Sequence, residues 1–136
     1  RRMNDGMGEY VADQVVKLML KKGIQVLGAK ILVLGFTFKE NCPDVRNTKV
    51  IDIVRNLEEY KAEVTVHDPW ANPAVAKHEY GIELHNQLPE VEFDVVIHAV
   101  AHDNFKELNI NKITNGSRVV YDVKGVLSEK VIDGKL

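Results

Sequence analysis

The sequence predicts a doubly wound α/β domain: a mostly parallel sheet of about five strands, with helices on both faces and a long helix in front. Two observations carry this prediction. Strand-like and helix-like segments alternate along the 136 residues, as they do when parallel strands are joined by helical crossovers. The apolar runs that indicate strands, such as residues 31–34, are continuous instead of alternating, which is typical of strands buried on both faces.

The first predicted elements are a helix, a strand and a second helix. Residues 8–22 carry apolar side chains at helical spacing and are followed by Gly23, a common helix stop. Residues 30–35 form an apolar run that ends in glycine, which predicts a buried strand. Thr48 is the expected N-cap of a helix that continues to about Tyr60.

The second half of the chain continues the alternation. Residues 63–67 predict a strand that is closed by the turn-forming pair Asp68 and Pro69. Residues 73–80 predict a short helix, and residues 81–84 predict a short edge strand. Three further segments complete the domain: a strand at 93–100, the start of a helix at 104–108 and a last strand at 117–122.

We predict that residues 1–136 form a single domain, in which residues 1–23 are a linking helix and residues 30–136 are the α/β sandwich. Arg1 and Arg2 already belong to the helical pattern and no methionine precedes them, so we expect a fragment of a longer protein. An engineered or proteolysed start is the alternative.

Composition argues against several classes of function. The formal net charge of −2 and the pI near 6.2 argue against a nucleic-acid partner, since nucleic-acid-binding domains are usually basic. No apolar run approaches the roughly 20 residues that cross a bilayer, so we expect no membrane partner. Cys42 is the only cysteine, which rules out an internal disulfide and favours the reducing cytoplasm.

The fold predicts where a ligand would bind. In doubly wound sheets, ligands bind beyond the carboxyl ends of the strands, where the strand order reverses. With the common order 3-2-1-4-5, this crevice lies between the first and fourth strands. Residues 36–47 and 101–105 form the loops that enter it, and the loop around Lys124 lies beside them.

A dinucleotide site is the first hypothesis for that crevice, and the residues argue against it. Gly35 follows the first strand and Asp68 ends the second, as in a dinucleotide fingerprint. Residues 36–40, however, include two phenylalanines and a lysine and leave no cradle for a pyrophosphate, and the next helix begins about a dozen residues later. We therefore interpret Asp68 as a turn former and expect that this domain does not bind NAD alone.

The first crevice loop carries two cations, Lys39 and Arg46. A mobile lysine charge and a bidentate arginine fork suit a diphosphate, and the start of the next helix adds positive potential. Phe38 offers a face for a flat base. The alternative is that both cations are solvated and paired with Glu40 and Asp44. The spacing alone leaves both interpretations open.

At this loop the sequence resembles the UDP-glucose/GDP-mannose dehydrogenase family. Residues 35–48, GFTFKENCPDVRNT, resemble the family's G-x-x-F-K-x(6)-R-x-S/T segment, which is the most specific part of the resemblance. Three shorter segments extend it: HDP at 67–69, similar to the family's Y-D-P; VAHDNF at 100–105, where many members have T-x-W-x-x-F; and YDVKG at 121–125, where many have D-x-R. The opening residues 1–5 resemble the helix that leads into the family's last domain.

Together, these segments are most similar to those of bacterial enzymes that oxidise UDP-N-acetylhexosamines to uronic acids for capsule or O-antigen synthesis. The resemblance implies a C-terminal UDP-binding domain that closes over the UDP-sugar, while an N-terminal domain binds most of the NAD and carries the catalytic cysteine. It also implies partners: the enzyme's own N-terminal and central domains, and a homodimer or higher homo-oligomer. This chain alone is then expected to be inactive, with no catalytic residue of its own.

The resemblance also implies roles for single residues. Phe38 and Lys39 would contact the nucleotide-sugar, and Arg46 would reach the NAD from across the cleft. Lys124 would contact the substrate; it stands where arginine is common, so it keeps the charge but loses the fork.

Two further functions are considered beside this one. A free-standing nucleotide-binding or regulatory module of the same fold is the first alternative, since fold alone does not fix function. A small hydrolase that uses Cys42 with His102 is the second, and the sequence has neither a nucleophile elbow nor an obvious orienting acid for it. Cys42 is interpreted as a bystander.

The five histidines divide by their positions. His98 lies inside an apolar strand and is interpreted as a hydrogen-bonded core residue. His67 and His102 end strands at the ligand-binding edge, where a role in the site is open. His78 and His85 are interpreted as surface residues, and no pair has the spacing of a metal site, so no metal ligand is predicted.

Overall fold

The computed structural model describes residues 3–136 and the side chains of residues 6–136. Arg1 and Arg2, and the helical pattern predicted for them, lie outside the described residues. In chain order the elements are α1 Met3–Lys22, β1 Lys30–Leu34, α2 Val50–Glu59, β2 Glu63–His67, α3 Pro73–Tyr80, β3 Leu84–His85, β4 Phe93–His98, a single 3-10 turn Asp103–Phe105, α4 Ile110–Ile113, β5 Thr114–Asp122 and β6 Gly134–Lys135.

The strands form one parallel sheet in the order β3-β2-β1-β4-β5-β6. The predicted doubly wound fold and the predicted order 3-2-1-4-5 are confirmed, with β6 added at one edge. Its two residues pair with Tyr121 and Asp122, and a segment this short leaves no periodic pattern from which a strand is predicted. Among residues 3–136, no helix is long and apolar enough to cross a bilayer.

The early elements form where their local signals predict them. Gly23 takes a φ of 73° after the last turn of α1, as a helix stop requires. Asn72 caps α3 by accepting hydrogen bonds from the amides of Ala74 and Val75. The prediction for Thr48 is wrong by one position: Lys49 is the N-cap of α2, and the Thr48 hydroxyl accepts a hydrogen bond from the Val50 amide at 3.1 Å.

Four later elements differ from their predicted bounds. The edge strand predicted at 81–84 forms at Leu84–His85, because Gly81 still caps α3 with a φ of 71°. The strand predicted to reach Val100 ends at His98, where the next two amides both turn toward the Leu34 carbonyl. The helix start predicted at 104–108 is the 3-10 turn, and β5 begins three residues earlier than predicted.

Two hydrophobic clusters cover the two faces of the sheet. On one face, α1 and α2 pack together and α1 also contacts β5. Val11, Val15 and Met19 of α1 are fully buried in this layer. Gly8 allows the two helices to approach, because an added Cβ there would overlap Asp52 and lie 2.7 Å from its carbonyl carbon. Burial of this apolar face therefore holds α1 on the sandwich.

Candidate functional site

The strand order reverses beside β1, which pairs with β2 on one side and with β4 on the other. Gly35, directly after β1, has a φ of 97°, and an added Cβ would lie 2.5 Å from Val100 Cβ and 2.8 Å from Val100 N. This glycine therefore lets the loop after β1 cross the loop after β4 at close range. The crossing opens the predicted crevice at the carboxyl end of the sheet.

Two clefts lie at this edge, one on each face of the sheet, with volumes of about 360 Å³ and about 270 Å³. The one that concerns the predicted site, here called the switch cleft, has a volume of 270 Å³. It brings together side chains from α1, from both loops and from the loop after β5. The lining includes Met7, Thr37, Phe38, Lys49, Val100 and Lys124.

The switch cleft unites two of the predicted site residues, Phe38 and Lys124, which are 86 positions apart in the chain. Phe38 is 57% exposed, so an aromatic face is open to a ligand. Lys124 is also exposed, and among the described side chains no carboxylate forms an ion pair with its ammonium group. An aromatic face beside an available cation suits a ligand that carries both a flat ring and negative charge.

Lys49 is a cleft residue that the sequence reasoning did not select. It is the N-cap of α2 and lies in the switch cleft with Lys124. Within residues 6–136 its ammonium group has no ion pair either. The positive end of the α2 dipole lies at the same place, so the cleft concentrates positive potential. The signal available in the sequence was its position at the start of the helix.

Lys39 and Arg46 lie on the β1–α2 loop, defined here as residues 35–49, but neither lines the switch cleft. Lys39 is exposed. Arg46 binds Asp44 with two hydrogen bonds, 3.0 Å from Nε to Oδ1 and 3.2 Å from Nη2 to Oδ2. The hydrogen bond from Arg46 lowers the pKa of Asp44 and in turn raises the pKa of Arg46. For Arg46, the pairing with Asp44 considered above is therefore present.

The β1–α2 loop is anchored by Asp68, which is completely buried. Its Oδ2 accepts hydrogen bonds from the amides of Phe36 at 2.6 Å and Thr37 at 3.1 Å. Its Oδ1 accepts hydrogen bonds from the amides of Trp70 at 2.7 Å and Ala71 at 3.1 Å. The interpretation of Asp68 as a turn former accounts only for the second pair of bonds. Its carboxylate joins the turn after β2 to the loop after β1.

His102 adds a second anchor to the same loop. Its Nε2 lies 2.9 Å from Asp68 Oδ2 and 3.1 Å from Thr37 Oγ1, and its Nδ1 accepts a hydrogen bond from the Asn41 amide at 2.9 Å. The Asn41 side chain in turn accepts a hydrogen bond from the Asp103 amide at 3.0 Å. The ring is 1% exposed, so it contacts the loop rather than a ligand.

A second buried pair, His98 and Asp122, supports the loop after β5. His98 Nδ1 lies 3.0 Å from Asp122 Oδ1, and the carboxylate also accepts hydrogen bonds from the amides of Lys124 and Leu127. The interpretation of His98 as a hydrogen-bonded core residue agrees with this geometry. Among the described residues, the His67 side chain forms no hydrogen bond with a residue of the switch cleft. Its Nδ1 donates a hydrogen bond to the His85 carbonyl oxygen at 2.9 Å.

The two discarded chemistries do not fit the geometry. A dinucleotide would need a free carboxylate at Asp68 and space around Gly35, but both oxygens of Asp68 are engaged internally and Val100 fills that space. A hydrolase would need a base for Cys42, but both ring nitrogens of His102 are engaged. Among the described residues, no group of three histidine, cysteine, aspartate or glutamate side chains is placed to hold a metal ion.

Comparison with known sequences connects this site to a family. The profile of the UDP-glucose/GDP-mannose dehydrogenase family, UDP binding domain, matches residues 32–129. The chain is 51% identical over 139 residues to a UDP-N-acetyl-D-glucosamine 6-dehydrogenase of Pseudomonas aeruginosa, covering 100% of the chain and 33% of that relative. It is 44% identical over 130 residues to Protein CapL of Staphylococcus aureus, covering 94% of the chain and 31% of that relative. The chain thus spans about a third of the length of the curated relatives it matches.

Comparison with solved structures supports the fold. An NDP-N-acetyl-D-galactosaminuronic acid dehydrogenase from Methanosarcina mazei Go1 superposes with a TM-score of 0.86 at 22% identity, covering 98% of this chain and 30% of that chain. The matched profile includes residues 32–34 of β1, the β1–α2 loop and the loop that carries Lys124. The chain therefore belongs to the UDP-glucose/GDP-mannose dehydrogenase family, in which it corresponds to the UDP binding domain.

Proposed function

We propose that this chain is the C-terminal UDP-sugar-binding domain of an NAD-dependent nucleotide-sugar 6-dehydrogenase, and that residues 1–136 are one domain with α1 as its linking helix. The observation that carries the proposal is the switch cleft, in which Phe38, Lys49 and Lys124 present an aromatic face and two cations. A uridine diphosphate offers a flat ring and a diphosphate, the two features that this cleft recognises.

The site residues divide between two ligands in this proposal. Phe38, Lys39 and Lys124 bind the nucleotide-sugar, and Lys49 adds charge at the diphosphate. Arg46 reaches the NAD from across the closed cleft, which requires it to exchange Asp44 for a phosphate oxygen. The Arg46 side chain is 78% exposed, so water screens its ion pair with Asp44 and the exchange has a low cost.

The full-length enzyme in this proposal oxidises C6 of a UDP-hexose or UDP-N-acetylhexosamine to the uronic acid. One named relative, a UDP-N-acetyl-D-glucosamine 6-dehydrogenase, favours the N-acetylhexosamine. A role in bacterial surface polysaccharide synthesis is proposed from the resemblance of the loop segments. NAD binds mainly to the preceding domains, which with a second subunit are the expected protein partners. The cytoplasm is the proposed compartment, because its reducing conditions suit the free thiol of Cys42.

The proposal is tested by titrating UDP into the chain and measuring heat or amide chemical shifts. We expect weak binding, with a dissociation constant on the order of 1 mM, because only part of the enzyme's cleft is present. Affinity should fall as ionic strength rises from about 0.01 M to about 0.15 M, since the screening length shortens from about 30 Å to about 8 Å. NADH should not form with any UDP-sugar.

Two matched lysine variants make the test specific to the site. Lys124→Ala should weaken UDP binding about tenfold, because it removes a hydrogen bond to a charged group. Lys112→Ala removes the same charge from an exposed position on α4 and should leave the affinity unchanged. Equal losses in both variants would show nonspecific attraction, and no response to millimolar UDP would refute an autonomous site. NADH formation that Cys42→Ser abolishes would overturn the expected inactivity.

A further inference from the structure

A buried pair of side chains from outside the β1–α2 loop, Asp68 and His102, holds the first half of the loop in place. Asp68 and His102 lie 2.9 Å apart, and their side chains are fully buried. We propose that His102, held by Asp68, is a positioning residue: as a neutral imidazole with its proton on Nε2, it sets the β1–α2 loop in the conformation that binds UDP. The inference rests on the proposed function, because it concerns the loop that carries Phe38 and Lys39.

The tautomer follows from the hydrogen bonds around the ring. The Asn41 amide can only donate, so Nδ1, at 2.9 Å, must offer a lone pair. The ring proton of the neutral form then resides on Nε2, which faces Asp68 Oδ2 at 2.9 Å. With a proton on Nδ1, the ring N–H and the Asn41 amide N–H would be two donors facing each other with no acceptor between them. The geometry therefore admits one of the three protonation forms of histidine.

Asp68 and His102 hold the two ends of the loop segment that presents the proposed ligand-binding side chains. Asp68 holds the amide of Thr37, and His102 holds the amide of Asn41, so both ends of the segment 38–40 are fixed. Between these two ends, the Thr37 hydroxyl donates a hydrogen bond to the Lys39 carbonyl at 2.9 Å. Asn41 has a φ of 56°, a left-handed conformation that costs free energy and persists where the surrounding bonds impose it. Loss of the His102 acceptor removes one of those bonds.

The ring itself is held in place from the other sides. Trp70 stacks on it with a centroid separation of 6.2 Å and an interplanar angle of 25°, and Phe105 meets it edge-on at 5.5 Å. The indole of Trp70 also donates a hydrogen bond to Asn104 at 2.9 Å. An apolar ring or an indole at this position would offer no acceptor, so the bond to the Asn41 amide depends on histidine here.

The test compares three variants of the chain, with UDP as the ligand and thermal unfolding measured in parallel. His102→Phe keeps a ring but removes both bonds, and we expect UDP binding to weaken about tenfold. His102→Gln restores a donor and an acceptor and should bind within about threefold of the parent. His67→Phe is the control: it makes the same chemical change at a buried β2 residue whose ring bonds only the His85 carbonyl, and it should lower the melting temperature without changing UDP affinity.

A spectroscopic readout tests the tautomer directly. The ¹⁵N chemical shift of His102 should show an unprotonated Nδ1 and a protonated Nε2, and the Asn41 amide should be protected from exchange in the parent but not in His102→Phe. A proton on Nδ1 overturns the inference, as does His102→Phe that binds UDP like the parent. A parent that does not bind UDP refutes the autonomous UDP site instead, and the inference falls with that site.

Discussion

Lys39 and Arg46 lie seven residues apart on one loop but have different surroundings. Lys39 follows Phe38 next to the strand end, and among the described residues it has no ion pair. Arg46 is close to the start of α2 and is bound to Asp44. A difference of this kind suits two ligands that meet across a closed cleft, one on each side of the loop.

The first prediction separates the two cations in the full-length enzyme. Lys39→Ala should raise the KM for the UDP-sugar more than the KM for NAD, and Arg46→Ala should do the reverse. A hydrogen bond to a charged group contributes roughly 1.5–3 kcal/mol, or about ten- to a hundredfold in binding. Steady-state kinetics with each substrate varied in turn provide the measurement. Wild-type KM values for both ligands in both variants would mean that the loop is a solvated surface.

At the residue scale, part of the site could be predicted from the sequence. Phe38 and Lys124 follow from the family resemblance, and the structure places both in one cleft. Lys49 was missed because helix-start signals describe the backbone and not where a long side chain reaches. The anchoring role of Asp68 was underestimated because its bonds to the amides of residues 36 and 37 join positions about 30 residues apart, which local patterns do not encode.

At the element scale, the close crossing of the loops after β1 and β4 depends on Gly35. Its left-handed backbone and the nearby Val100 exclude a side chain for two separate reasons. Gly81, at the end of α3, has a similar φ of 71° but no atom within 4 Å of an added Cβ. The two glycines thus form a matched pair that separates backbone strain from crowding.

The second prediction uses this pair. Gly81→Ala should destabilise the fold by about 1 kcal/mol through backbone conformation alone. Gly35→Ala should cost a further amount of about 1–3 kcal/mol, because the added methyl overlaps Val100. Urea-induced unfolding of both variants gives the two free energies of unfolding. Equal losses would show that the loops yield to the extra methyl without strain.

Elements with a strong hydrophobic pattern or clear stop and turn residues could be predicted with their bounds. The bounds of elements that depend on tertiary pairing could not. Residues 31–34 are four apolar residues in a row and residues 64–66 are three β-branched residues, so both segments can be recognised as strands. β3, predicted at 81–84, forms at Leu84–His85 where it pairs with β2, and the two residues of β6, which were not predicted, form a strand by pairing with β5. A 3-10 turn at 103–105 stands where a helix start was predicted, and its first amide, that of Asp103, donates a hydrogen bond to the Asn41 side chain.

At the scale of the whole molecule, two buried carboxylates connect folding to pH. Burial favours the neutral form of Asp68 and of Asp122, but hydrogen bonds from His102 and the Phe36 amide to Asp68, and from the Leu127 amide and His98 to Asp122, outweigh it and lower both pKa values. The unfolded chain has the ordinary aspartate pKa of about 3.9. Both groups therefore stabilise the fold above that pH.

The third prediction is a loss of stability in acid. As pH falls below about 4, the unfolded chain takes up protons that the folded chain resists, so the free energy of unfolding decreases until pH reaches the folded-state pKa values. Urea unfolding between about pH 3 and pH 6 measures this slope. Asp122→Asn should flatten it, whereas Glu90→Gln, at an exposed position, should not. An unchanged slope in Asp122→Asn would mean that other carboxylates govern acid unfolding.

The packing of α1 has a mechanical consequence. The helix is 20 residues long, which corresponds to about 30 Å, and it crosses α2 at Gly8, close to the end that contributes Met7 to the switch cleft. The far end of the helix is tied to the sheet side by Lys22, which forms an ion pair with Asp133 at 2.6 Å and donates a hydrogen bond to the Arg118 carbonyl. Because both ends of α1 are held, the helix is a rigid support that fixes Met7 at the border of the switch cleft.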